Sequence, residues 1–290
     1  MTRSCPACGG HGTKKYSSNI VEDRFSSSTY ASRKSPELMH HALMECDNCA
    51  SLFAAILPNT DELLQNYIDA SFDGQIESEF AAKTYCKYLQ KLNLLREKRI
   101  LDIGCGDGAF IKLAMASGAT TVQGIEPSGG ALSSAKEMIG LIRTVSVEAC
   151  DYDSEFDLAT CFQTLEHVTK PAETVLKMFD AIVTGGHLAV VCHDRLSLVN
   201  RLLGRKSPIF DIEHLQMFSG YGLECLMQTA GLEIIYFKRI VNRYPLGYWL
   251  RLSPLPRKLK NIIELHRRSL ISNYSIPIAV GNRLIVSKKI

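Results

Sequence analysis

The stretch Arg99–Phe110, RILDIGCGDGAF, constrains this chain more than any other. It reads as a buried strand through Ile100, Leu101 and Ile103, a turn carrying Gly104, Gly106 and Gly108, and a helix opening at about Ala109. Glycines suit such a turn because it takes backbone angles that other residues resist, and because a bound ligand must lie directly against the main chain. The stretch is therefore a candidate nucleotide-type binding loop, the alternative being a turn that only packs strand on helix.

Gly104, Gly106 and Ala109 also satisfy the loose dinucleotide pattern G-x-G-x-x-G/A, and a lone match of that kind is weak. Charge separates the two ligands. A dinucleotide puts a pyrophosphate at the helix N-terminus, whereas this loop carries Asp102 before its first glycine and Asp107 between the last two. Two carboxylates suit a cation, and S-adenosylmethionine has a sulfonium and an ammonium. The residues resemble motif I of the class I S-adenosylmethionine-dependent methyltransferases: a hydrophobic pair, an acid, a hydrophobic residue, then G-x-G-x-G. An NAD(P)-dependent oxidoreductase is the runner-up reading, and a non-catalytic zinc and Rossmann-like binding module is the third.

From Arg99 onward strands and helices alternate, the pattern of a parallel sheet with helices on both faces. A helix over 109–117 stops at Gly118, TVQGIE forms a strand, a helix over 131–139 and a strand near 143–147 follow, and FDLATCF forms the strand 156–162. Pro171 opens the next helix as its first residue. AIVTGGHLAVVC reads as a helix end, a Gly185-Gly186 turn and another buried strand. A possible short helix at 196–203 comes next; Ser219 then caps a helix over 220–230, LEIIYFKRIV forms the sixth strand and NRLIVSKK the last. The succession FDLATCFQTLEHVTKP, GGHLAVV and EHLQMFS is similar to the methyltransferases that modify sugars, quinone precursors and other small metabolites. The resemblance covers about residues 46–240. It implies an α/β fold: a Rossmann-like, doubly wound seven-stranded sheet with an antiparallel last strand inserted at the sheet edge. One departure stands out: His193-Asp194 replaces the usual proline-asparagine pair after the fifth strand.

The expected cofactor-binding residues are Asp102, Gly104, Cys105, Gly106, Gly108, Glu126, Pro127, Phe162 and Gln163. Glu126 ends the second strand, where an acid can accept hydrogen bonds from both ribose hydroxyls; its alternative is a helix-start carboxylate near Ser128. Glu148–Cys150 fall where such a fold meets the adenine ring. Methyl transfer from a sulfonium is a direct displacement, so the protein chiefly aligns the nucleophile. A hydroxyl nucleophile also needs a base, and histidine is the usual one near neutral pH. His167 and His214 are the candidate catalytic residues, each preceded by a carboxylate (Glu166, Glu213), with His193 third. Adjacent residues point apart, so neither sequence pair is automatically a coupled dyad. For each histidine the alternative is capping or packing. The acceptor is expected to be a small polar metabolite, with a sugar or nucleotide-sugar favoured, O- or C-methylated in preference to N-methylated, and phosphorylation compatible with it.

Four of the ten cysteines form two C-x-x-C pairs, Cys5 with Cys8 and Cys46 with Cys49, each flanked by turn formers. In a reducing compartment such spacing argues for metal rather than disulfides. Four thiolates complete a closed tetrahedral zinc site whose role is structural. His11, His40 and His41 lie close enough in sequence to replace a ligand. The zinc-binding module is expected over 1–58 and a helical linker or cap over 59–97. The methyltransferase domain is expected over 98–290, with insertions at 195–219 and 242–281. Residues 12–37 read as a polar excursion with little order. A short strand ends at Pro58, a helix starts near Thr60 or Asp61, and 76–97 form an amphipathic helix whose Tyr85 and Tyr88 read as packing or substrate-contacting residues.

The net charge of +3 is unevenly spread: 236–290 hold twelve Lys or Arg against the single acid Glu264. Within 242–281, basic residues interleave with Tyr244, Tyr248 and Trp249, which suits a lid, a cradle for a phosphorylated substrate, or an interfacial helix on anionic lipid. The acidic remainder offers no continuous basic face for nucleic acid. No run approaches the roughly 18 apolar residues of a membrane span, and MTRSCPACGG lacks a signal-peptide core. The expectation is a cytoplasmic protein, and nothing in the sequence sets its oligomeric state.

Overall fold

A computed structural model of the chain describes residues 3–25, 29–30, 37–70, 74–138, 140–253 and 274–290. Near the N-terminus lie β1 (Gly12–Tyr16), β2 (Leu43–Cys46) and β3 (Leu52–Ala54), followed by α1 (Thr60–Asp69) and α2 (Gln75–Lys91). The α/β succession is β4 (Arg99–Ile103), α3 (Ala109–Ala116), β5 (Thr121–Ile125), α4 (Gly129–Ser134), β6 (Ile142–Arg143), β7 (Phe156–Phe162), α5 (Pro171–Ala181) and β8 (Ile182–His193). After it come α6 (Leu198–Leu203), β9 (Gln216–Met217), α7 (Gly220–Thr229), β10 (Leu232–Arg239), β11 (Asn242–Pro245), α8 (Leu246–Leu252), β12 (Ser275–Ile278) and β13 (Asn282–Lys289).

Seven strands form one sheet in the order β10-β13-β8-β7-β4-β5-β6. The run from β8 to β6 is parallel, and β13 is antiparallel to both β8 and β10. The antiparallel last strand is as expected, but it lies one strand in from the edge, with β10 outermost. Both faces of the sheet are covered. Leu101 and Ile103 point into a core shared with Val175 and Met178 of α5 and Leu223 of α7. Ile100 points to the other face, with Ala82 and Leu89 of α2 and Phe110 of α3. Period-two alternation thus gives two apolar faces, as a sheet covered on both sides requires.

Local differences from the sequence reading have local causes. Asn59, not Thr60 or Asp61, caps α1, its Oδ1 accepting from the Asp61 and Glu62 N–H groups. The helix expected over 131–139 ends at Ser134, and β6 is only two residues long. Gly185-Gly186 does not break β8; Gly185 (φ +80°) takes up a register shift against β7. Ser219 caps α7 as expected, accepting from the Gly222 N–H. Residues 12–16 are not disordered but form β1, paired with β2. Part of the polar excursion, at 26–28 and 31–36, lies outside the described residues.

The connection 195–219 supplies the largest difference. Its Gln216–Met217 form β9, which pairs with β3 and completes a four-stranded sheet β1-β2-β3-β9. The segment bearing the cysteine pairs is therefore joined through β9 to a loop of the α/β part. Cys5, Cys46, Cys49 and Phe53 pack in the same core as Phe218 and Leu223.

Candidate active site

The strand β4 ends at the glycine turn, whose three glycines all have positive φ: +71° at Gly104, +55° at Gly106 and +75° at Gly108. At Gly104 the need is steric as well, because a Cβ there would strike the Thr164 side chain. Glu126, at the end of β5, accepts from the Gly106 N–H (2.9 Å) through one oxygen and from the Ser128 N–H (2.9 Å) through the other. It therefore braces the loop, and its bond to the Ser128 N–H is that of the helix-start carboxylate, the alternative reading of the sequence. Each oxygen keeps a further lone pair for a ligand. Asp107 accepts from the Ser78 hydroxyl (2.6 Å) and the Ala109 N–H (3.2 Å).

Asp102 is 2 % exposed and accepts from the Thr160 hydroxyl (2.7 Å). Burial pushes its carboxyl up to about 7, against the Thr160 hydrogen bond that pulls it down and with the help of Glu126. Burial also raises Glu126, which the two backbone donors oppose. Cys105 is buried, its Sγ filling the space that Gly124 leaves open.

These residues line a cavity of about 550 Å³. All nine expected cofactor-binding residues except Gly108 line it, Pro127, Phe162 and Gln163 included, and so do Glu148, Tyr85 and the three histidines. The crevice over the first two parallel strands is thus open rather than filled, and Glu126 faces it.

The topology also brings His167, His193 and His214 together in this cavity. The His167 and His214 ring centroids are 4.8 Å apart and those of His193 and His214 are 5.7 Å apart. Two loops are stitched for this purpose: the Leu215 and Gln216 N–H groups donate to the Glu166 carbonyl, and the Gln216 amide donates to the Leu165 and Val168 carbonyls. His214 Nδ1 lies 2.7 Å from the Ile209 carbonyl, which can only accept, so Nδ1 carries the proton and Nε2 the lone pair. His193 Nδ1 meets Asn282 Oδ1 at 2.7 Å and is held in the same tautomer. His167 Nδ1 lies 3.2 Å from the Tyr67 hydroxyl and 3.5 Å from Glu213 Oε2. Burial, and next the nearby Glu213, push the Tyr67 hydroxyl well above its ordinary value.

Neither adjacent Glu-His pair is a dyad. Glu213 faces His167, and fully buried Glu166 accepts from the His193 backbone N–H at 2.7 Å. Asp194, the other half of the unusual pair, is structural: it accepts from Arg283 (2.7 Å) and from the Leu196 N–H. Tyr67, Asn242 and Asn282, which also line the cavity, carry no motif that marks them in the sequence.

Aromatic rings form a roof on this cavity. Tyr85 stacks on Phe162 (4.4 Å), and Tyr244 packs against Tyr248 (4.5 Å) and Trp249 (5.2 Å). α8 is anchored by the Trp249 indole N–H on the Ile276 carbonyl and by a buried Arg251–Glu77 ion pair at 2.9 Å. The described part of the 242–281 insertion is therefore cover over the cavity. Its basic residues Arg257, Lys258 and Lys260 lie outside the described residues. Among the described residues the lining holds seven carboxylates and neither Lys nor Arg.

The Sγ atoms of Cys5, Cys8, Cys46 and Cys49 all lie within 4.8 Å of one another, with Cys5–Cys49 at 3.6 Å and Cys8–Cys46 at 3.4 Å. Tetrahedral zinc at about 2.3 Å from each sulfur sets sulfurs about 3.8 Å apart, so the donor set fits such an ion. None of the three candidate histidines His11, His40 and His41 belongs to the cluster. Among the described residues no helix is long and apolar enough to cross a membrane.

The sequence profile of a family described as a methyltransferase domain matches residues 78–236. A ubiquinone biosynthesis O-methyltransferase of Alkalilimnicola ehrlichii is 32% identical over 221 residues, spanning 68% of this chain and 83% of that protein. One from Pseudomonas fluorescens is 30% identical over 191 residues, 63% and 74% of the two chains. Among solved structures, a methyltransferase from Thermotoga maritima aligns with a TM-score of 0.50 at 22% identity, covering 73% of this chain and 91% of that one. A chain of the complex between the Trm112 methyltransferase activator and a methyltransferase of Haloferax volcanii aligns with a TM-score of 0.54 at 13% identity, covering 74% and 91%. These two share the fold.

Proposed function

The chain belongs to the class I S-adenosylmethionine-dependent methyltransferases, and on that premise we propose that it O-methylates a hydroxyl of a small, neutral metabolite with His214 as general base. The observation that carries this reading is the convergence of three histidines in the same cavity that the glycine loop lines. S-adenosylmethionine, when bound, supplies a methyl group on a positively charged sulfur that is already a good leaving group.

The chain's own residues do the rest. Glu126 holds the ribose hydroxyls while bracing the loop. Asp102 and Asp107 provide negative charge for the cationic ligand, and the same charge disfavours the pyrophosphate of the rival nicotinamide reading. His214, its Nδ1 proton committed to the Ile209 carbonyl, takes the acceptor's proton on Nε2. His167, with Glu213 beside it, can stabilise the imidazolium charge or relay the proton. The roof of Tyr244, Tyr248 and Trp249 keeps water from the transfer.

The acceptor is read as neutral because the described lining is acidic and without a cation. This narrows the sugar reading to an unphosphorylated one. The aromatic roof, together with relatives named for ubiquinone biosynthesis, supports an aromatic hydroxyl as the second reading. The four thiolates hold zinc as a structural ion: they line no part of the cavity, and a closed four-sulfur site leaves no coordination position for substrate.

The test is incubation with radiolabelled S-adenosylmethionine and fractionated neutral metabolites, including catechols and monosaccharides. Label is expected in a methyl ether. Label on nitrogen alone, or transfer that persists unchanged in His214→Ala, overturns the reading.

A further inference from the structure

The polar excursion between the two cysteine pairs has its base pinned by one side chain. Asn19 Oδ1 accepts from the His40 N–H at 2.7 Å and Asn19 Nδ2 donates to the Leu38 carbonyl at 2.9 Å, so the chain leaves and returns at one place. Residues 20–37 lie beyond that pin. A loop longer than about 15 residues is usually either functional or disordered, and the points at which this one touches the rest of the protein decide between the two.

Those points lie at the cavity. The Glu37 N–H donates to Asp211 Oδ2 at 3.2 Å, and Asp211 lines the cavity in the loop that carries Glu213 and His214. Tyr30 lines it too, its ring meeting Tyr67 edge to face with centroids 5.4 Å apart and planes at 73°. Tyr67 in turn places its hydroxyl 3.2 Å from His167 Nδ1. The Tyr30 hydroxyl also acts on Tyr67: after burial and Glu213, it is the next cause that pushes the Tyr67 hydroxyl up. The other aromatic residue of 20–37, Phe25, is 41% exposed and lines no part of the cavity.

We propose that Tyr30 contacts the methyl acceptor, so that the segment between the cysteine pairs selects the substrate as well as supplying thiolates at its ends. The assignment rests on the methyltransferase reading of the cavity and deepens it. A hydroxyl that His214 deprotonates must come within about 3 Å of its Nε2, and the His167 ring centroid is 4.8 Å from that of His214. A metabolite held there extends past His167 to Tyr67 and Tyr30. Tyr30 is half-buried rather than buried, which leaves part of it open to such a molecule. A tyrosine ring supplies contact area at low conformational cost, and its hydroxyl adds a donor and an acceptor. Because Tyr30 takes no part in moving the proton, its loss is expected in KM rather than in kcat.

The test uses the full-length protein with radiolabelled S-adenosylmethionine and the neutral-metabolite fraction that takes up label, diluted in series to give an apparent KM. Tyr30→Ala is expected to raise that KM about five-fold or more, with kcat within about two-fold of the parent and S-adenosylhomocysteine binding calorimetrically as before. Tyr30→Leu keeps apolar bulk against Tyr67; it is expected to raise the KM about three-fold or more while melting within about 3 °C of the parent. Phe25→Ala, from the same excursion, is expected to change neither constant. An unchanged KM in both Tyr30 variants, a loss confined to kcat, or an equal rise in KM for Phe25→Ala overturns the assignment. No label in any fraction, or no binding of S-adenosylhomocysteine by the parent, overturns the underlying reading of the cavity and the assignment with it, and both are read before any variant is compared.

Discussion

Glu213 and His167 meet in the cavity lining, Oε2 to Nδ1 at 3.5 Å, although in sequence Glu213 adjoins His214 and His167 adjoins Glu166. The crossing matters chemically. Glu213 is buried, so its carboxylate can orient or steady an imidazole that it faces, whereas His214, its neighbour in sequence, is oriented by the Ile209 carbonyl. The two histidines therefore have different partners and different expected contributions.

His214→Ala is expected to lower kcat about 100-fold or more, the usual scale for loss of a positioned base, with the affinity for S-adenosylhomocysteine unchanged. Glu213→Gln keeps the shape but weakens support for His167 and is expected to lower kcat more modestly, about ten-fold. Steady-state kinetics with an identified acceptor, paired with calorimetry of S-adenosylhomocysteine, checks both. Equal losses in cofactor affinity would place these residues in folding rather than in transfer.

Glu126→Ala removes the anchor of the Gly106 and Ser128 N–H groups and, on the proposed reading, a ribose contact. It is expected to weaken S-adenosylhomocysteine at least ten-fold, consistent with losing about two charge-assisted hydrogen bonds. Gly104→Ala is expected to be worse, since it meets both a positive φ and the Thr164 side chain. Calorimetric Kd values for the two variants, with far-ultraviolet dichroism to confirm folding, decide it.

Asp102 gives a pH signature. Its carboxyl is raised to about 7 in the folded protein against 3.8 as the ordinary value, so between those pH values the folded state binds more protons than the unfolded one. Its contribution to stability therefore falls as pH rises from about 4 to about 7. The melting temperature of the ligand-free protein is expected to decline over that window more steeply than that of Asp102→Asn. Binding of cationic S-adenosylmethionine is expected to tighten as pH rises through 7, because it favours the ionised carboxylate, and Asp102→Asn is expected to lose that dependence. A parallel pH profile in the variant would contradict the assignment.

Removing the proposed zinc is expected to cost activity although none of its four cysteines lines the cavity. β9 belongs to the same small sheet as β1–β3, and the residues just before it include His214 and Leu215, whose N–H holds the Glu166 carbonyl. Treatment with a thiol-reactive mercurial and a chelating dye is expected to release about one zinc per chain, and kcat is expected to fall together with the melting temperature. Cys46→Ser is expected to reproduce both effects. Full activity in the metal-free protein would show that the small sheet does not position the histidine loop.

The sequence determined what local chemistry can determine. Three glycines at fixed offsets demand positive φ, so the binding loop and the helix after it were legible at once. Alternating apolar stretches announced the parallel sheet, and two C-x-x-C pairs announced four thiolates. Glu126 and Asp102 were marked at strand ends and His167 just after one, and all three line the cavity, whereas His214 was marked only as a histidine in a long connection. Only the tertiary structure decided the relationships that depend on approach through space. It set β13 inside the sheet edge rather than on it, drew β9 out of a connection with few regular signals into the small sheet, and crossed Glu213 to His167. It also buried the amide of Asn242. Two-residue strands, a carboxylate's choice among histidines and a buried asparagine carry no sequence period, since each arises from long-range packing between segments that are far apart in the chain.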